Sequence, residues 1–409
     1  VFTRVQALLS GRPVGKVLLQ IAVANDAAHG STAMALAGLL RVASLEHPAF
    51  SGQVVEVDTA VCAVDLARIL QDEAGRAGAI DAEVKYVAGE RRVPRFSPLT
   101  SPGGSPASRR SFWKNGGVYL ITGGAGGIGM LLAREILSKT EHARLILAGR
   151  ASPGDEKGRA IDVLRREYAT ATVEYVATDV TSRPAVDACV ADVLQRHGGL
   201  DGVIHAAGII RDNFLTRKPA EEFSAVMAAK IAGVVNLDAA TADLDLDVFL
   251  LMSALAGVFG NPGQGDYAVG NAFLDRFAEQ RRVLEHQGLR KGHSLSIAWP
   301  LWLDGGMRVN AQVRSRMLQS GMAAMGTRDA FDGLYQAWAS GAANAIVFYG
   351  TPSALHRALG AAAPVPEFAG VSISAGAARS PVDPEWLRER TLERLVGLFS
   401  DVTKLGGSD

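Results

Sequence analysis

Tyr267 and Asn271 stand four residues apart in SALAGVFGNPGQGDYAVGN, residues 253–271, where the second half reads as the start of a helix. Four residues is close to one helical turn, so the two side chains share a face. A hydride arriving at a ketone carbon leaves an alkoxide that needs a proton. A phenol of pKa ~10 is an effective acid for that step when a nearby ammonium tunes it. Tyr267 is the candidate donor. The familiar dehydrogenase order puts lysine four residues after such a tyrosine, but Asn271 holds that position here. The lysine is found upstream, as Lys230 in MAAKIAG, so the two positions look exchanged. The accompanying hydroxyl is less clear: Ser253 is the one serine of the segment upstream of the tyrosine, and Ala254 follows it. Neighbours on a strand point to opposite faces, so only a turn at the strand end would bring Ser253 to the face that Ala254 serves.

A second group of residues suits a dinucleotide. The strand-like VYLIT runs into TGGAGGIG, Thr122 to Gly129, and then into the helical MLLAREILSK. Gly123, Gly124, Gly126, Gly127 and Gly129 let the backbone approach a pyrophosphate closely. The helix start around Gly127, Ile128 and Gly129 presents amides and a favourable dipole to it. The next strand ends in LAGR, with Arg150 where an NAD enzyme usually offers an acid to the ribose. A guanidinium there favours the 2′-phosphate, hence NADPH. Asp179, with Val180 beside it, is placed for the adenine edge, and Ala206, Ala207 and Gly208 of HAAG bring small residues close to the cofactor. His205 in the same motif reads as packed rather than as a base.

The elements that must position these groups form two series. Residues 17–24, 53–58 and 83–88 read as strands separated by helical stretches near 31–46 and 61–76, with no glycine fingerprint. SPGGSPASRR at 101–110 is a low-complexity break. After it come strands at 118–123, 144–149, 173–178, 202–207, 248–253 and 294–300, alternating with helices, and AIVFYG at 345–350 looks like one more. Short apolar strands alternating with helices predict an α/β fold with a doubly wound parallel sheet. DGGM at 304–307 and the 308–330 stretch are expected to cover the substrate. WLRERTLERLVGLF at 386–399 is amphipathic and reads as a linker or docking helix.

Basic and acidic residues both total 42 of 409, so the overall charge points to neither nucleic acid nor an anionic membrane. Cys62 and Cys189 are too few for a disulfide framework or a structural zinc site, which suggests a reducing, cytoplasmic compartment. There is no signal-like run at the start. The chain opens without methionine, which suggests a piece of something longer.

The exchanged lysine and asparagine, with LITGGAGGIG, HAAGIIRD, GNPGQGDYAVGNAFLD and WPLWLDGGM, resemble the ketoreductase domains of modular polyketide synthases, within the short-chain dehydrogenase/reductase superfamily. GNPGQGDY and WPLWLDGGM look most like the trans-acyltransferase branch. The resemblance covers about residues 17–350, because SLEHPAF and GERRVPRF look like that family's amino-terminal structural subdomain. It implies a Rossmann-like catalytic subdomain at 113–360, preceded by a degenerate, truncated Rossmann-like subdomain at 1–112 and followed by a linker and helix at 361–409. It further implies NADPH-dependent reduction of a β-ketoacyl chain carried on the phosphopantetheine of an acyl carrier protein, among neighbouring synthase domains. Lys230, Tyr267 and Asn271 match the family's active site residue by residue. The serine does not: family members usually read FSSxAG, and the position of the second serine is Ala254 here. This leaves a second reading, a catalytically silent reductase fold kept as a structural or docking element. A sugar epimerase shares the superfamily fold but would keep lysine where Asn271 stands. Asp212, in IIRD, matches an aspartate that marks substrate entry from one side and a D-configured, B-type product. The tryptophan of the opposite class is replaced by Phe259. A turn or helix cap is the plainer reading of Asp212.

Overall fold

The computed structural model describes residues 1–351 apart from 14, 26–29, 77, 79, 100–110, 153, 308–310 and 320. The linker and amphipathic helix expected at 361–409 lie outside the described residues. The first series runs α1 (Phe2–Ser10), β1 (Val17–Asn25), α2 (Gly30–Ala33), α3 (Leu36–Glu46), β2 (Phe50–Asp58), α4 (Ala63–Ala74), β3 (Glu83–Val87) and β4 (Glu90–Arg92). Its sheet has the order β1-β2-β3-β4. The first three strands are parallel, and β4 returns antiparallel to β3, a short polar strand that the apolar pattern did not reveal.

The second series is β5 (Val118–Thr122), α5 (Gly127–Lys139), β6 (Arg144–Gly149), α6 (Asp155–Glu167), β7 (Thr172–Ala177), α7 (Arg183–His197) and β8 (Gly202–His205). It continues with a 3-10 turn at Leu215–Arg217, α8 (Ala220–Ala240), β9 (Val248–Ala254), α9 (Leu255–Phe259), α10 (Gly265–His286) and β10 (His293–Trp299). The last elements are α11 (Ala311–Gln319), α12 (Thr327–Ala339) and β11 (Asn344–Ile346), the last shorter than the sequence suggested. These strands form one parallel sheet, β11-β10-β9-β8-β5-β6-β7. Strand order reverses between β5 and β8, which opens a crevice at the carboxyl ends of those strands, the usual place for a ligand in such sheets.

The central strands are continuous apolar runs because both their faces are covered. Leu120, Val203, Phe249 and Leu251 pack on one face, and Ile121, Ile204, Leu250 and Met252 pack on the other. The first of these cores does not stop at residue 112. Leu36, Leu39, Leu40 and Val42 of α3 pack in it with Ala268, Val269, Ala272 and Phe273 of α10. The two subdomains expected from the sequence thus share one core. Helix α8 has the length and apolarity of a membrane span, but it lies in this core and buries Lys230, Asn236 and Asp238.

Candidate active site

The glycine turn follows from its surroundings. Gly123 adopts φ +67, a left-handed conformation that side chains rarely tolerate. Gly129 would bring a Cβ within 2.4 Å of the Gly123 carbonyl, so the helix can start this close to the turn only without a side chain. Gly126 caps α5 in an extended conformation. The first turn of α5, at Gly127, Ile128 and Gly129, therefore has amides with no acceptor inside the helix. This is a cradle that fits a pyrophosphate.

The other predicted cofactor residues lie at the same sheet edge. Arg150 follows β6, exposed and without an ion-pair partner among the described residues. Asp179, after β7, accepts hydrogen bonds from the Thr181 amide and hydroxyl at 2.9 and 2.8 Å, which holds its turn. Val180 is buried, and its carbonyl accepts from the Asn236 side chain at 2.9 Å. Ala206 donates to the Thr122 carbonyl at 3.1 Å, so the HAAG segment lies directly beside the glycine turn. His205 is fully buried against Thr122 Oγ1 at 2.8 Å, and burial pushes its imidazole down to about 3. It is neutral and packed, in line with the sequence reading.

The catalytic candidates come together from α8, β9 and α10. Lys230 is buried between Gly208 and Gly270, whose missing side chains leave room for its methylenes. Its ammonium donates to the Met252 carbonyl at 3.0 Å and sits 5.6 Å from the centre of the Tyr267 ring. Burial lowers its pKa to about 8, against the pull of the Asp275 carboxylate. Asn271 donates to the Tyr267 carbonyl at 2.7 Å, one helical turn back, and its Oδ1 is a buried acceptor with no partner among the described residues.

One expectation needs correction. The ammonium was expected to hold the Tyr267 phenol low, yet burial pushes it up to about 12, with Asn271 lowering it and the Asp212 carboxylate raising it. The cause is that Lys230 donates to a backbone carbonyl, so burial outweighs it. The DGGM turn was expected over the substrate. Its Gly305 carbonyl lies 2.3 Å from where a Cβ of Gly127 would be, so the turn abuts the glycine loop.

Ser253 and Ala254 divide as alternation requires. The Ser253 hydroxyl donates to the Asn271 carbonyl at 3.1 Å, beside the buried Asp275 carboxyl, which accepts from the Ser296 hydroxyl at 2.6 Å. It is engaged with the backbone of α10. Ala254, in extended conformation at the start of α9, holds the other face and has no hydroxyl to offer. Phe259, at the end of α9, packs against Phe96 and Phe348 at ring distances of 5.9 and 6.5 Å.

The sequence reading passed over two further features. Gln264 donates to both oxygens of Asp212 at 3.0 and 3.1 Å, tying the candidate substrate-entry acid to the turn before Tyr267. Lys218 and Asp266 form a fully buried ion pair at 2.6 Å, and Asp266 accepts from the Tyr267 amide at 2.8 Å. GNPGQGDY held the signal for both, since a polar residue on each side of a glycine next to the acid has to find partners.

Comparison with known proteins identifies the family. The family model described as the KR domain matches residues 117–304. Polyketide synthase PksL of Bacillus subtilis (strain 168) is 38% identical over 352 residues, which is 85% of this chain and 8% of that protein. PksN of the same organism is 37% identical over 352 residues, 86% of this chain and 6% of that protein. The chain thus spans less than a tenth of the length of these curated relatives. Among solved structures, a ketoreductase domain from the bacillaene assembly line superposes with TM-score 0.80 at 33% identity, over 88% of this chain and 84% of that one. The ketoreductase of the first phoslactomycin module, from Streptomyces sp. HK803, gives 0.71 at 30%, over 92% and 86%. With a fold and sequence likeness that extends over most of both chains, this protein belongs to the ketoreductase-domain family of polyketide synthases, the short-chain dehydrogenase/reductase type.

Proposed function

We propose that this chain reduces the β-keto group of an acyl chain, carried on the phosphopantetheine of an acyl carrier protein, to a D-configured β-hydroxy group at the expense of NADPH. The observation that carries the reading is Tyr267, a phenol with the Lys230 ammonium 5.6 Å from its ring centre and the Asp212 carboxylate within electrostatic reach. The nicotinamide, when bound, supplies the hydride. Amides at the start of α5 bind the pyrophosphate, Arg150 pairs with the 2′-phosphate, and Lys230 places positive charge below the reacting centre. Tyr267 stays protonated through neutral pH, because its pKa lies near 12. It is still a far stronger acid than the alcohol being formed, so proton transfer from its Oη to the alkoxide runs downhill. The side from which the acyl chain enters decides which ketone face is presented, and Asp212, with Phe259 in place of tryptophan, supports entry on the B-type side.

A second reading is favoured by one observation, the engagement of Ser253 with Asn271 beside Ala254. With no hydroxyl at the alkoxide the domain would be slow or silent, serving as a structural or docking element of the synthase. NADPH oxidation with a β-ketoacyl thioester surrogate, run beside an NADPH-binding titration, separates the two. Turnover with chiral analysis giving the D-alcohol supports the first reading. Binding without turnover supports the second.

A further inference from the structure

Helix α3 belongs to the sheet that has no glycine turn, yet it lies along the whole catalytic segment. A Cβ on Gly38 would come within 2.9 Å of the Ala268 backbone, next to Tyr267. Arg41 reaches the Gly257 carbonyl at 3.4 Å. At the helix end, Glu46 spreads its carboxylate over two separate segments. Oε2 accepts from the Leu215 amide at 2.7 Å, and Oε1 accepts from the Gly263 amide at 2.9 Å. The first segment carries Asp212, and the second carries Gln264 and leads into Tyr267. The two are also joined directly, by the Asn213 amide to the Gly263 carbonyl at 2.9 Å and by the Gln264 to Asp212 pair. Gln6 of α1 secures the far side of the same loop, donating to the Leu215 and Lys218 carbonyls at 2.8 and 2.9 Å. Burial raises the Glu46 pKa while the Gly263 and Leu215 amides pull it down, as expected of a carboxylate that exchanges water for backbone donors.

We infer that Glu46 is a positioning residue for the reaction: its carboxylate sets the substrate-entry loop around Asp212 in register with the turn before Tyr267. The reasoning is geometric. One carboxylate can accept from two amides at once, whereas a carboxamide must turn a donor toward one of them, so no uncharged isostere keeps both bonds. If either bond goes, the Asp212 side and the Tyr267 side lose a shared reference, and the acyl chain can enter in more than one pose. The inference rests on the function proposed above, and its test keeps the two apart.

The test compares the full chain with Glu46→Gln and Glu46→Ala, using a β-ketoacyl thioester surrogate. The readouts are KM, kcat, the ratio of β-hydroxy stereoisomers, NADPH affinity, and hydrogen–deuterium exchange over 211–217 and 260–266. Glu46→Gln is expected to raise KM about tenfold, as for loss of a hydrogen bond to a charged group, and to erode the isomer ratio. NADPH affinity should stay within about twofold, since no cofactor group is touched. Exchange should rise in both segments together in either variant. Glu83→Gln is the comparison for a merely structural brace, because Glu83 joins the units through Arg41 and Arg276 and bonds neither 211–217 nor 260–266. It should lower the melting temperature and leave the isomer ratio alone. Unchanged exchange in both segments, or an unchanged isomer ratio and KM in Glu46→Gln, overturns the inference. Raised exchange in both segments with no turnover in the unaltered chain retains the clamp and overturns the reductase reading instead.

Discussion

In the seven-stranded sheet the first strand leads into α5, in the four-stranded sheet it leads through the short α2 into α3, and α5 and α3 are used in opposite ways. Helix α5 starts at a glycine turn with its first amides open, and Leu132, Ala133, Ile136 and Leu137 form one buried stripe along it. Helix α3 is buried over Leu36, Ala37, Gly38, Leu39, Leu40, Val42 and Ala43, nearly all round. A helix apolar on nearly all sides is enclosed by protein. Strand and helix thus make a cradle that fits a cofactor where the helix starts at a glycine turn, and a support for the candidate catalytic segment where the helix is enclosed. Absence of the glycine fingerprint from the first unit is then a sign of a different task.

The most severe test of this division is Tyr267→Phe. If the chemistry sits wholly in the second unit, reduction should fall by about 10²–10⁴ while NADPH binding stays nearly constant, as stopped-flow turnover and a fluorescence titration would record. A normal rate would remove Tyr267 from the mechanism. Next in size is Ala254→Ser, which restores a donor on the face Ser253 does not serve. Turnover should rise by up to ~10²–10³, whereas Ser253→Ala should cost about 1 kcal/mol of stability and little rate. The reverse pattern would mean that Ser253 reaches the substrate.

A pair of glycine substitutions compares the helices directly. Gly129→Ala and Gly38→Ala each force a methyl against backbone, at 2.4 and 2.9 Å, and each should cost roughly 1–3 kcal/mol. The first should appear as lost NADPH affinity, the second as lowered kcat with affinity retained, and like effects from both would erase the division. A smaller effect is expected of Arg150→Ala, about tenfold weaker binding of NADPH and almost none for NADH, because the exposed guanidinium acts on the 2′-phosphate alone. Equal loss for both would make Arg150 structural.

The smallest effect is on pH. Lys230 falls to about 8 in the folded chain, below its unfolded value near 10.4. The unfolded chain therefore holds more protons between those values, and stability should rise with pH across that window. Over the same range the ammonium beneath Tyr267 is lost, so reduction should slow as pH passes about 8. Chemical denaturation and pH–rate profiles of the chain and of Lys230→Met would check both, since the variant should lack both dependences.

What the sequence by itself determined is what short-range rules govern. Alternation of apolar strands and helices determined the parallel sheet, the strand, glycines and helix at 118–139 determined the cofactor cradle, and spacing paired Tyr267 with Asn271. The two-residue period of a strand also set Ser253 and Ala254 on opposite faces, and the Ser253 hydroxyl donates to the Asn271 carbonyl. Only the tertiary structure decided the contacts that join distant segments. Glu46 meets Gly263 across 217 positions of sequence, and although SLEHPAF marked its segment, nothing local told which amides its carboxylate would meet. The Tyr267 pKa likewise depends on burial by elements far away in the chain, and the DGGM turn finds Gly127 only once β10 is paired. Local conformational preference reads out over a few residues, whereas burial and hydrogen-bond pairing are properties of the packed whole.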